Sequence, residues 1–130
     1  MTDQPDLWFN PSHCLINGRW VPPASGQSLP LENPSTGERI GSIARGMADD
    51  IDAAIASARN AWQGDWGRST AVERGRALFR LRELVLENVE QLARIEAIDV
   101  GKPLKQARAD AIALARYLEF YGGAADKLHG

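Results

Sequence analysis

One thiol, Cys14, and two imidazoles, His13 and His129, are the only side chains of their kinds in the sequence. A cysteine nucleophile needs its pKa lowered by a helix amino terminus or a nearby cation. His13 is adjacent, but neighbours along a strand point to opposite faces. Cys14 therefore reads as a structural cysteine. The two histidines stand near opposite ends of the chain, and no spacing of Cys, His and carboxylates matches a zinc site. Gly41-Ser42-Ile43-Ala44-Arg45-Gly46 has the glycine spacing of a phosphate loop, yet Met47-Ala48 follows where Lys and Ser or Thr would be needed. No GxGxxG occurs to cradle a dinucleotide pyrophosphate.

The carboxylates mostly alternate with arginine on helical surfaces, as in Glu73, Arg76, Arg80, Glu83 and Glu87, which suits a solvated face with weak pairs rather than an acid/base dyad. Asp99 and Lys102 differ, because they flank the glycine corner of Ile98-Asp99-Val100-Gly101-Lys102-Pro103-Leu104. Two readings stand. Asp99 caps the next helix while Lys102 covers carbonyls of the last one, or the pair serves a cation site or hinge contact. Trp8, Trp20, Trp62 and Trp66 read as packing anchors.

The elements that would position these residues change period along the chain. Residues 1–13 carry two prolines and little pattern and read as a flexible arm. Leu15–Val21, with Asn17-Gly18 as turn chemistry inside it, and Glu38–Ala44 are strand candidates. Pro22-Pro23 and Asn33-Pro34-Ser35-Thr36-Gly37 between them are turn formers. From Ala48 the period becomes helical, with Ile51, Ala54, Ile55, Ala58 and Trp62 on one stripe, and Gly64 to Gly67 breaks it. Thr70 and Glu73 form a capping box before the stripe Leu78, Leu81, Val85, Val89, Leu92, with a break expected near Asn88. Gly101 ends the third helix and Pro103 suits the first turn of a fourth. The apolar face of that helix is Ala107, Ala111, Leu114, Ala115, Leu118 and Tyr121, and Gly122-Gly123 closes or bends it. Asp126 to Gly130 carry no stop signal, so the chain is expected to continue.

The 44% hydrophobic and 25% charged residues are ordinary for a globular chain that buries a core. A net charge of -2 with interspersed signs argues against a nucleic-acid partner. No apolar run is long enough to span a bilayer, and Met1 to Asp6 lack the charge and apolar stretch of a signal peptide. A lone cysteine agrees with a reducing compartment, so a cytoplasmic location is expected.

Several separated pieces resemble the amino-terminal part of NAD(P)-dependent aldehyde dehydrogenases, in the right order. Leu15–Val21 looks like the opening strand, and Glu32-Asn33-Pro34-Ser35-Thr36-Gly37-Glu38 like an "NPxTGE" turn. Asp50-Ile51-Asp52-Ala53-Ala54 with Ala58 and Ala61-Trp62 looks like the first helix. Trp66, Arg74-Gly75-Arg76 and Leu78 resemble the next, and Asp99 to Pro103 the corner before a long helix. Tyr117 and Phe120-Tyr121-Gly122-Gly123 are similar to the betaine-aldehyde and retinal-type branch.

The resemblance implies an α+β, mostly helical segment: a β unit followed by about four helices, belonging to a Rossmann-like α/β fold. Residues 14–130 would be an incomplete cofactor-binding domain. In such enzymes a cysteine thiolate attacks an aldehyde, hydride passes to NAD or NADP, and water releases a carboxylic acid. The family's catalytic cysteine, glutamate and nucleotide-binding elements follow the region matched, so no catalytic or cofactor-binding residue is expected within this segment, which alone would be inactive. Asp99 with Leu31 and Glu32 corresponds to an alkali-cation site, and Ala113, Leu114 and Tyr117 to a helix bordering the aldehyde tunnel. A homodimer or homotetramer is implied. The other readings are a non-catalytic helical interaction module or truncated gene product, and a small enzyme using the carboxylates. Helix stripes made to cover an absent sheet are expected to leave apolar patches exposed.

Overall fold

The computed structural model describes residues 7–127, so His129 and the first six residues of the expected arm lie outside the described residues. The chain divides between Arg68 and Ser69 into two compact units.

The first unit begins with two antiparallel hairpins. β1 (Cys14–Ile16) pairs with β2 (Arg19–Val21), Cys14 opposite Val21. Asn17 and Gly18 join them with φ of 52° and 70°, the left-handed pair that lets a two-residue turn follow the strand twist. What reads as one strand in sequence is therefore a hairpin. β3 (Ser28–Glu32) pairs with β4 (Arg39–Ala44) and is an element the sequence reading omits. Pro30 hides it, since proline lacks the N–H a central strand needs and is tolerated at an edge. Asn33 organises the turn between them: its carbonyl accepts from Gly37 N–H at 2.7 Å and its side chain from Ser35 N–H at 2.9 Å.

The arm expected over 1–13 is anchored from Trp8 onward. Phe9 stacks on Trp20 with ring centroids 5.3 Å apart, and Trp8 meets Phe9 edge-on. Pro11 C=O accepts from Ala44 N–H at 2.9 Å. Ring stacking and a backbone bond offset the cost of ordering this proline-containing stretch.

α1 (Ala48–Gln63) starts under control of Asp50, whose two carboxylate oxygens accept from Met47 N–H and Ala24 N–H, each at 2.9 Å. Asp50 is buried, and these two donors hold its pKa below the ordinary carboxylate value. The stripe of α1 does not become core: Ile51, Ala54, Ile55, Ala58 and Trp62 are all exposed, Trp62 at 67%. A one-turn helix, α2 (Asp65–Arg68), follows where sequence shows only a break.

The second unit packs three helices. α3 (Ala71–Glu87) opens with the expected capping box: Thr70 Oγ1 accepts from Glu73 N–H at 3.2 Å, and Glu73 Oε2 accepts from Thr70 N–H at 2.7 Å. Asn88 separates α3 from α4 (Val89–Val100), but its side-chain amide donates to Leu84 C=O at 2.8 Å instead of capping α4. Gly101, at φ 69°, ends α4, and α5 (Leu104–Ala124) follows Pro103. Gly122 and Gly123 neither close nor break α5, which runs through them. Small residues make up the buried core, with Ala93, Ala107, Ala111, Ala115, Gly75 and Gly122 joined by Val85. Helix axes approach closely because so little side chain separates them.

Candidate functional site

Spacing along α5 sorts its side chains into two faces. Ala107, Ala111, Ala115 and Gly122 are buried. Ala113, Arg116, Tyr117, Phe120 and Tyr121, at intervals of three and four, line an open groove of about 480 Å³. Tyr117, Phe120 and Tyr121 are each at least 60% exposed, and the Phe120 and Tyr121 rings meet edge-on at 5.2 Å. The expected face is thus corrected for Leu114 and Tyr121, which are exposed, because a 21-residue helix with alanine at its buried turns needs little else to seat against its neighbours.

Of the three residues expected at an aldehyde passage, Ala113 and Tyr117 share this groove. Leu114 lines a second groove, of about 450 Å³, with Leu92, Ile95, Glu96, Asp99, Asp110 and Ala111. The sequence reading missed Arg116 as a member of the first groove. Its signal was present, since Arg116 lies three residues after Ala113 and four before Phe120.

Lys102 does not cover helix carbonyls. Its ammonium bonds Glu96 of α4 and Asp110 of α5, the latter at 2.6 Å, and Gln106 Nε2 donates to the other Asp110 oxygen at 2.9 Å. Donating to Asp110 and Glu96 raises the Lys102 pKa, and accepting from Lys102 and Gln106 lowers that of Asp110. A second tie joins the same helices, the two-point pair of Arg108 with Glu90 at 2.6 and 2.8 Å. Asp99 is exposed beside this cluster and does not cap α5, whose cap position is Pro103.

Leu31 and Glu32, expected to join Asp99 at a cation, lie in the first unit. Leu31 sits opposite Gly41 and Glu32 opposite Arg39, whereas Asp99 belongs to the second unit. Among the described residues, no group of three or more His, Cys, Asp or Glu is placed to hold a metal ion. Cys14 is a free, half-buried thiol on β1, and the Nδ1 of neighbouring His13 is buried without a hydrogen-bond partner. Asp50 and Glu73 place carboxylates at the amino termini of α1 and α3, while no side chain caps α4 or α5.

Comparison with known proteins decides the kinship. The model of the aldehyde dehydrogenase family matches residues 20–130. The chain belongs to the aldehyde dehydrogenase family. It is 41% identical over 128 residues to aldehyde dehydrogenase family 2 member B4, mitochondrial, of Arabidopsis thaliana, covering 97% of this chain and 24% of that protein. It is 43% identical over 120 residues to hydroxyisobutyraldehyde dehydrogenase of Mycolicibacterium austroafricanum, covering 92% and 24%. Among solved structures, a putative aldehyde dehydrogenase from Burkholderia cenocepacia superposes with a TM-score of 0.88 at 58% identity, covering 89% of this chain and 24% of that one. Betaine aldehyde dehydrogenase from Staphylococcus aureus, in complex with NAD+, superposes at 0.87 with 32% identity, covering 91% and 24%. The chain thus spans about a quarter of the length of these aldehyde dehydrogenases. The α+β, mostly helical architecture is that of the corresponding part of their Rossmann-like fold. No helix among the described residues is long and apolar enough to cross a membrane.

Proposed function

We propose that these 130 residues are part of an NAD(P)-dependent aldehyde dehydrogenase that oxidises an aldehyde to a carboxylic acid. The family match over residues 20–130 carries this reading. Residues outside this segment supply the nucleophile, the base and the cofactor cradle, in keeping with a Cys14 that sits within a hairpin and with the carboxylates at the amino termini of α1 and α3. In this reading the outward face of α5, with Ala113 and Tyr117, forms one wall of the aldehyde passage, and Leu114 supports it from the second groove. Asp99 with the backbone at Leu31 and Glu32 holds an alkali cation. The unpartnered apolar faces of α1 and α5 are covered by the remainder of the subunit or by a second subunit of a homodimer or homotetramer. The enzyme uses NAD or NADP and works in the cytoplasm.

The test is the intact mass of the polypeptide made by its native source, together with aldehyde-dependent formation of NAD(P)H. A mass several times 14.2 kDa with turnover is expected. A native mass equal to this chain and no turnover would overturn the proposal in favour of a non-catalytic helical module. Purified residues 1–130 alone are expected to form no NAD(P)H, and turnover abolished by Cys14→Ala would overturn the structural role given to Cys14.

A further inference from the structure

The two-residue turn between β1 and β2 needs left-handed backbone at both positions, which places Asn17 directly before Gly18. Both residues are exposed. Neither the Asn17 side-chain amide nor the Gly18 N–H has a hydrogen-bond partner among the described residues. Gly18 has no Cβ, and even one built on its backbone would meet nothing within 4 Å, so its nitrogen is uncrowded. The hairpin opens readily, because its strands are 3 residues each and pair only with one another.

The other four asparagines of the sequence lack this setting. Asn10 and Asn33 precede Pro11 and Pro34, whose nitrogens carry no hydrogen and cannot act as nucleophiles. Asn60 precedes Ala61 within α1, where the helical ladder engages the following N–H. Asn88 precedes the β-branched Val89, and its side-chain amide donates to Leu84 C=O at 2.8 Å.

We propose that Asn17 is a spontaneous modification site whose conversion to isoaspartate breaks the β1–β2 hairpin. When the turn opens, the Gly18 nitrogen gives its proton to hydroxide and bonds the side-chain carbonyl carbon of Asn17. The bond from that carbon to the side-chain nitrogen breaks, ammonia leaves with a proton taken from water, and a succinimide ring closes. Water then adds to either ring carbonyl. One opening leaves aspartate, and the other leaves isoaspartate, with the side-chain methylene inserted into the main chain. No group is oxidised or reduced. An extra main-chain atom in a two-residue turn removes the left-handed pair that follows the strand twist, so the register of Leu15 opposite Trp20 fails. Trp20 carries the ring on which Phe9 stacks, and that anchor of the amino-terminal stretch is lost with the hairpin.

The experiment ages the native-length protein at neutral and at mildly alkaline pH, then digests it and measures isoaspartate at each asparagine by mass spectrometry. Asn17 is expected to convert at least about tenfold more than Asn60 or Asn88, because a short hairpin opens more often than helix backbone. Conversion should be faster at the alkaline pH, since the attacking nitrogen must lose its proton. Near-ultraviolet circular dichroism should lose the signal of Trp20 in proportion to isoaspartate. Asn17→Gly adopts the same left-handed turn without a side-chain amide, and its map and spectrum should stay unchanged over the same period. Asn17→Asp carries the new charge on an intact main chain and should begin with a native spectrum. Conversion at Asn17 no greater than at Asn60 and Asn88 would overturn the proposal, as would a native spectrum while isoaspartate accumulates. Equal decay of the spectrum in Asn17→Gly would overturn it too, because the loss would then have another origin.

Discussion

Replacing Gly75 by alanine is expected to destabilise the protein even though alanine is the better helix former. Gly75 lies within α3 where that helix crosses α5 at Gly122. A Cβ built on Gly75 would stand 2.6 Å from the Gly122 carbonyl oxygen and 3.4 Å from Ala125 Cβ. The obstructing atom is helix backbone, which cannot swing aside, so α3 and α5 must separate by about 0.4 Å or more to reach the shortest tolerable contact. Alanine gains about 1 kcal/mol over glycine in a helix interior, whereas overpacking a close contact costs ~1–3 kcal/mol. The net expectation is a loss of about 1 kcal/mol. Gly123 is the internal control, because it lies in α5 next to Gly122 and a Cβ there meets nothing within 4 Å. Gly123→Ala should therefore show the helix-forming gain alone, ~0.5–1 kcal/mol of stabilisation. Thermal and urea unfolding followed by circular dichroism would separate the two variants by roughly 2 kcal/mol, several degrees in Tm for a unit of this size. Equal stabilisation by both substitutions would refute the reasoning, since it would mean that the helices do not hold the observed approach.

Three further outcomes follow from local geometry. Thr70→Ala removes the acceptor for Glu73 N–H and should cost ~1 kcal/mol, with Thr70→Ser recovering most of it in the same unfolding assay. Gly67→Ala should disrupt the corner between α1 and α2, because its Cβ would stand 1.6 Å from the Trp62 carbonyl oxygen; loss of near-ultraviolet signal from Trp62 and Trp66 would report it, and a native spectrum would contradict it. Stability should fall on the acid side. Asp50, Glu73, Glu90 and Asp110 have folded-state pKa values below their ordinary ones, so their contribution is complete above 3.8 for Asp and 4.5 for Glu and disappears as pH drops through the lower folded values. Unfolding midpoints should therefore be nearly flat from neutral pH down to about 5 and then decline, and Asp50→Asn should both lower the midpoint and flatten the acid decline.

Much of the local structure was legible in residues three or four apart. The Thr70 and Glu73 box, the Gly101 stop and the chain reversals at Asn17-Gly18 and Asn33 to Gly37 are each decided by neighbours in sequence. β3 escaped notice because a proline at a sheet edge looks the same in sequence as a proline in a loop. The one-turn α2 escaped because four residues carry no period. Of the candidate site, Ala113 and Tyr117 line one groove and Leu114 another, a division that depends on which face of α5 its neighbours cover.

The sequence by itself determined the start of α3 and the end of α4 and the helical period of the longer helices, because hydrogen bonds and side-chain stripes on a helix repeat every three or four residues. It also carried enough separated motifs to reveal family membership. The tertiary structure decided what met what. Gly75 against Gly122, Asp50 against Ala24, and Arg108 against Glu90 are separated by many residues and depend on how closely two backbones can approach. It decided as well that the stripe of α1 stays uncovered while α5 buries alanines and turns its aromatic rings outward. An apolar period states that a face is to be covered, and only the packing of helices in space selects which face closes first.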